Sequence, residues 1–159
     1  MLPTELIRAA SLASVRGPAI LFPSSEWQET FLVTGGQHSI ACFLSGSHRH
    51  AAFPIEAAER WQGYAIEGVE LRVDLSSVYE VNRAGPILGS LIISDEGLHI
   101  VGNLNRGGWS QPEMLLIGDG SAESIKAGGI RVGFTQWNAF RVRHNDEFRI
   151  YEHRCDSQT

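Results

Sequence analysis

His48-Arg49-His50 is the one place in this chain where two histidines share a two-residue spacing. In an extended strand, side chains at i and i+2 point to the same face, so two imidazoles placed this way can bind one ion. Glu56 lies close enough downstream to add a carboxylate, and His99 stands after the Asp95-Glu96-Gly97 turn. Together His48, His50, Glu56 and His99 form a nitrogen and oxygen set suited to a divalent metal such as zinc, iron, nickel or manganese. A metal held there would polarise a substrate oxygen or activate water. The competing reading is an exposed turn, because Ser45-Gly46-Ser47 leads into the pair.

A second set is aromatic. Each tryptophan has a glutamine within two positions: Trp27-Gln28, Trp61-Gln62, Trp109 with Gln111, and Gln136-Trp137. An indole offers a flat apolar platform with one donor, and an amide adds a donor and an acceptor. Trp61 and Trp137 read as core anchors. Trp109, inside the Gly107-Gly108-Trp109-Ser110 segment, reads as a loop residue available to a ligand. The third set is basic: Arg141, Arg143 and Arg149 on the closing hairpin could hold a phosphate, a carboxylate or an acidic partner. Asp146, Glu147 and Glu152 on the same hairpin can neutralise them across the strands.

The histidine set is similar to that of the cupin family of metal-binding β-barrels, whose two motifs pair a His-x-His and a nearby Glu with a later hairpin histidine. His48-Arg49-His50, Glu56 and Gly63 follow the first motif, and Gly89, Gly97, His99 and Asn103 the second. Departures are visible. Cys42 stands where that family has glycine, Asp95 where it has proline, Glu56 comes late and His99 comes early. The resemblance implies a barrel with an inward metal site.

No glycine-rich dinucleotide loop, phosphate loop or Gly-x-Ser-x-Gly elbow occurs, and neither cysteine has zinc-finger or redox spacing. The net charge of −5 argues against nucleic acid and anionic membranes. No run of apolar residues is long enough to span a bilayer. Cys42 reads as a small core hydrophobe and Cys155 as a tail residue, so no bridge is expected and a reducing, cytoplasmic setting follows.

The elements that must position these residues are short. The 159 residues fit a single domain, 1–159. The expected order is an N-terminal helix over about 4–15, a β domain over about 19–153, and a frayed tail at 154–159. Thr4 can cap that helix, and Leu6, Ala9, Ala10, Leu12 and Ala13 give it a stripe. Residues 54–62 read as a second helical stretch. Gly35-Gly36 predicts a hairpin in which Ile40, Cys42 and Leu44 share a face with His38. Val69, Leu71, Val73 and Leu75 alternate as a half-buried strand. Residues 103–113 read as a loop, and the last hairpin as turning at Asn145-Asp146-Glu147.

Seventeen glycines and six prolines favour many short elements. The expectation is a mainly β chain of about nine or ten short, mostly antiparallel strands, as a barrel or a sandwich. The leading functional expectation is a non-catalytic module that binds a small molecule, a glycan or a partner protein, with Trp109, Gln111, Arg141 and Arg143 as contacts. The metal-dependent barrel and an edge-to-edge homodimer are the alternatives.

Overall fold

Alternation dominates the strands, and it is apolar on both phases. Ile20, Leu32, Cys42, Ile66, Leu91, Ile100 and Leu115 belong to one buried cluster. Their neighbours Leu21, Phe31, Val33, Ala41, Phe43 and Ala65 belong to a second cluster, and Ile92, Val101 and Met114 to a third. A sheet with apolar residues on both phases must be covered on both faces. The computed structural model, which describes residues 1–24, 29–57, 61–106, 108–124 and 131–156, shows how that is done.

Fifteen strands lie among the described residues. The first eight are β1 (Arg8–Ser11), β2 (Ala19–Pro23), β3 (Phe31–Val33), β4 (Ile40–Phe43), β5 (Ala51–Pro54), β6 (Gln62–Glu67), β7 (Glu70–Val73) and β8 (Val78–Glu80). After a single helical turn, α1 (Val81–Ala84), come β9 (Leu91–Ser94), β10 (Gly97–Arg106), β11 (Trp109–Leu116) and β12 (Ala122–Ser124). The chain closes with β13 (Val132–Phe134), β14 (Gln136–Arg143) and β15 (Asp146–Arg154). Twelve strands make one sheet in the order β1-β6-β2-β3-β4-β5-β10-β9-β13-β8, with β11 and β12 branching from β10. The other three form a small sheet, β15-β14-β7.

The small sheet contributes Trp137, Ala139, Leu71, Val73, Ile150 and Tyr151 to the first cluster, so it lies against one face of the large sheet. Leu12, Val15, Ile55 and Trp61 cover the opposite face over β2, β3 and β4. Phe31 is central there, with Trp61 edge-on at 5.0 Å between ring centroids. Val81, Tyr79 and Leu88 cover that face further along. Gly68, at φ +66°, turns the chain from β6 in the large sheet into β7 in the small one.

The mainly β expectation holds, but the described residues carry fifteen strands against an expected nine or ten, and several elements differ. The larger sheet ends at β1 and β8 without closing on itself, so neither a closed barrel nor the cupin-type barrel is formed. The N-terminal helix is absent as well. Thr4–Leu6 and Leu12–Ser14 are single 3-10 turns, and Arg8–Ser11 between them pairs with β6, from Arg8↔Ala65 to Ser11↔Gln62. A short helix with an alanine stripe is marginal alone, whereas an available sheet edge satisfies the same backbone groups. The second helix reduces to a 3-10 turn at Ile55–Ala57, its remainder at 58–60 lying outside the described residues, and Gln62 already starts β6.

The supposed loop at 103–113 is a hairpin. Asn103 and Leu104 pair in parallel with Ala51 and Ala52, and the β10–β11 ladder runs out to Arg106↔Trp109. Pairing with two neighbours overrides the poor strand propensity of Gly and Asn. Leu75 leaves the inward phase and is exposed on a 3-10 turn. The last hairpin turns at His144-Asn145, with Arg143 opposite Asp146 and His144 at φ +55°. Ile40 and Cys42 of β4 and Leu44 just after it share the first cluster as expected, whereas His38 lies before the strand and is exposed.

Trp137 is fully buried, and its indole N–H donates to the Gly89 carbonyl at 2.9 Å, joining the small sheet to the segment before β9. Trp137→Phe keeps an aromatic ring but leaves that carbonyl unpaired and a void behind. We expect it to lower stability by about 2–4 kcal/mol, read from urea unfolding at unchanged m-value. A loss under about 1 kcal/mol would show that this joint is not structural.

Candidate functional site

Residues 47–50 form a turn, so the two histidines next to Arg49 do not share a face. His48 is an exposed ring whose Nδ1 lies 3.2 Å from Glu29 Oε1, with Glu29 itself buried. His50 sits at φ +70°, a left-handed conformation that only a few non-glycine types tolerate. That torsion sends its ring inward. Its N–H donates to the Phe43 carbonyl at 2.7 Å and its carbonyl accepts from Asn103 at 2.8 Å, which fixes the backbone on both sides.

Inside, His50 meets His153 of β15, their Nε2 atoms 3.1 Å apart and their rings near perpendicular at 74°. Both are buried. Two nitrogens so close cannot both carry a proton, so one ring is protonated on Nε2 and donates to the bare Nε2 of the other. Burial, helped by the positive charge of Arg49, pushes the pKa of His50 down to about 4. Burial, then the neighbouring His50 and Arg49, pushes His153 down to about 3. Trp137 packs on the His153 ring at 4.9 Å. Gly89, at φ +81°, is required by close approach: a Cβ there would stand 2.2 Å from His50 Nε2.

Arg49 closes the outside of this pair. It donates to the Leu44 carbonyl at 3.2 Å, to Asp156 at 2.8 Å and to the Arg154 carbonyl. Cys155 N–H donates to the Thr135 carbonyl at 2.8 Å, so the tail is held at least to Asp156, and 157–159 lie outside the described residues. Both cysteines are free thiols, each pushed up to about 12 by burial.

His99 goes elsewhere. It lies on β10, buried, two residues before Val101 and on the same face of the sheet. One of its ring nitrogens and a carboxylate oxygen each from Glu96 and Glu123 lie within 4.8 Å of one another. Glu96 comes from the β9–β10 turn. Glu123 comes from β12, where it faces Met114, which in turn faces Val101. His99 Nδ1 is buried without a hydrogen-bond partner. Hydrogen bonds from Ser121 hold the Asp119 carboxyl below its ordinary range, with a smaller contribution from the nearby His99. Glu56 is exposed on its 3-10 turn. The four residues His48, His50, Glu56 and His99 are thus not brought together, and His153, Glu96 and Glu123 replace them as partners. Glu96 stands only three residues before His99 on the same hairpin, whereas no local spacing announces His153 and Glu123, which arrive from distant strands.

Trp109 is 82% exposed at the tip of the β10–β11 hairpin, and Gln111 follows on the same face, its amide 3.4 Å from Glu113. Gln111 pairs in register with Leu104, which lines a groove of about 600 Å³. Ile40, Pro54, Leu104 and Ala122 are its apolar surfaces; Gln37, His38, Asn105, Asp119 and Ser121 are its polar ones. Arg141 and Arg143 stand on the other sheet. Arg141 covers Gly68 and donates to the Val142 carbonyl at 3.0 Å, while Arg143 pairs with Glu5. Arg72 ties Glu147 at 2.7 Å, so acidic neighbours neutralise much of this face. Trp61 and Trp137 are core anchors, and Trp27-Gln28 lies outside the described residues.

The buried pair makes stability acid-sensitive in a defined window. Folded pKa values of about 4 and about 3 lie below the ordinary 6.5, so the unfolded chain binds more protons than the native one once the pH falls beneath 6.5. This contribution is therefore intact above that value and is lost as the pH drops from it towards 4. Each histidine adds about 1.4 kcal/mol per pH unit to the slope. His50→Asn, which tolerates the positive φ, should remove about half of that slope between pH 6 and 4.5, as measured by denaturant unfolding. An unchanged slope would remove the pair as its cause.

Among the described residues, no helix is long and apolar enough to cross a membrane. No solved structure matches the chain. It is 29% identical over 138 residues to the uncharacterized protein y4lG of Sinorhizobium fredii (strain NBRC 101917 / NGR234), covering 86% of this chain and 83% of that protein. Residues 9–158 match the family described as Y4lG, uncharacterised protein y4lG, a span that contains the histidine pair, the His99 cluster and the Trp109 hairpin. The chain therefore belongs to the Y4lG family.

Proposed function

We propose that this protein is a non-catalytic binding module, built as a sandwich-like pair of sheets, whose ligand enters the groove beside the Trp109 hairpin. The observation that carries this reading is a groove of about 600 Å³ walled by Leu104 and Asn105 of β10, together with an indole left 82% exposed at the tip of the same β10–β11 hairpin, outside the groove lining itself. Ligand pockets of roughly 300–1,000 Å³ with apolar walls and a few polar groups are the usual receptacles for small molecules. The flat face of an exposed tryptophan suits a sugar or other ring. Gln111 beside it, and Asn105 and Ser121 at the groove, supply the donors and acceptors that hydroxyl groups need. The ligand class this favours is a small ring-bearing polyol, such as a mono- or disaccharide unit. Two free thiols, Cys42 and Cys155, support a cytoplasmic setting.

Titration of a saccharide and metabolite panel, followed by tryptophan fluorescence and calorimetry, tests the reading. A ligand of this site should perturb emission in the native protein. Trp109→Ala should weaken its binding by about tenfold or more, equivalent to about 1.4 kcal/mol. Because the side chain is exposed, the unfolding midpoint should stay within about 0.5 kcal/mol of native. Asn105→Ala should weaken binding in the same direction. Ligands that bind equally well to both variants would overturn the assignment, as would capture of a partner protein with no saccharide binding at all.

A further inference from the structure

We infer that Glu96, His99 and Glu123 form a site for one divalent transition-metal ion, separate from the groove ligand and from the His50–His153 pair. The three side chains come from a turn and two strands of the large sheet, and their ligand atoms lie within 4.8 Å of one another. One imidazole with two carboxylates is a donor set that suits zinc, cobalt, nickel or manganese, and two carboxylates neutralise a divalent charge. Zinc takes nitrogen and carboxylate oxygen at about 2.0–2.2 Å, which puts neighbouring ligand atoms about 3.4 Å apart in a tetrahedron. The spread of 4.8 Å is therefore a little wide for an occupied site. Glu96 is exposed and Glu123 only half-buried, so their carboxylates are the parts able to close around an ion, while His99 is held by the sheet.

The independent observation is the imidazole. His99 is 1% exposed, yet its Nδ1 has no hydrogen-bond partner. A buried polar atom left unpaired costs about 1–3 kcal/mol. Buried metal-free histidines normally avoid this cost by bonding a carbonyl or a carboxylate. In this assignment Nδ1 is the ligating nitrogen, and a bound metal ion would supply its missing partner. The Asp119 carboxylate interacts electrostatically with His99 and adds negative potential in its neighbourhood. With three protein donors, a tetrahedral ion would keep one position for water, the arrangement of an open site.

Isothermal titration of metal-free, untagged protein with Zn²⁺ and with Co²⁺ tests the assignment. The native protein should bind one equivalent with saturable heat, and Co²⁺ should give a d–d absorption band of a low-coordinate nitrogen and oxygen site. Glu96→Gln and Glu123→Gln, which keep side-chain shape at accessible positions, should each weaken binding by tenfold or more. The double variant should abolish it with an unchanged circular dichroism spectrum. His99→Gln should abolish the cobalt band. His50→Asn should leave metal affinity unchanged, distinguishing this site from the buried pair. Native protein without saturable binding at millimolar Zn²⁺ would falsify the inference, and carboxamide variants that bind like the native protein would move the ion elsewhere and overturn it equally.

Discussion

Burial on both faces of the large sheet is the constraint from which the rest of the structure follows. The strands β2, β3, β4 and β10 carry apolar side chains at successive positions, so neither face can be left to solvent. One face takes the three-stranded sheet, with Trp137 as its anchor. The other takes two 3-10 turns, Trp61 and the short helix after β8. Each cover is supplied by a distant part of the chain, and each brings polar groups to a place where water is scarce. The histidine pair and the His99 cluster are products of that arrangement. The chemistry of the pair is set by burial more than by neighbouring charge.

The pair at 48 and 50 illustrates how torsion overrides spacing. A two-residue interval places side chains together only in an extended backbone, and the positive φ of His50 breaks that condition. One ring then joins Glu29 at the surface while the other turns into the core. Sequence could identify the residues as chemically able. It could not choose their partners, because His153 lies 103 positions from His50 and the link exists only after two sheets have docked.

Other parts were readable for a stated reason. Ile40, Cys42 and Leu44 alternate, and alternation is a local property of a strand, so their common face was evident before any fold was known. Trp109 stands among glycines and polar residues, and its exposure follows directly. By contrast, Arg8–Ser11 and Asn103–Arg106 have weak strand propensity, and they become strands because β6, β5 and β11 offer partners. The helix expected at 4–15 failed on the same ground: its alanine stripe satisfied the periodicity of a helix without supplying enough apolar area to hold one. Local pattern tells which residues want burial; tertiary pairing decides the backbone that delivers them.

The order in which strands meet has a consequence for synthesis on the ribosome. β7 has β14 as its partner, from Trp137↔Val73 to Phe140↔Glu70, so a segment made before the midpoint of the chain waits for one made near its end. Until then Leu71 and Val73, which finish packed against the main core, have no sheet to join. The large sheet can begin to assemble from β2, β3 and β4 as they emerge, since these are neighbours in sequence. The nascent chain thus passes through a stage with one face of that sheet open and apolar. Long-range pairing of this kind slows folding and exposes such stages to aggregation.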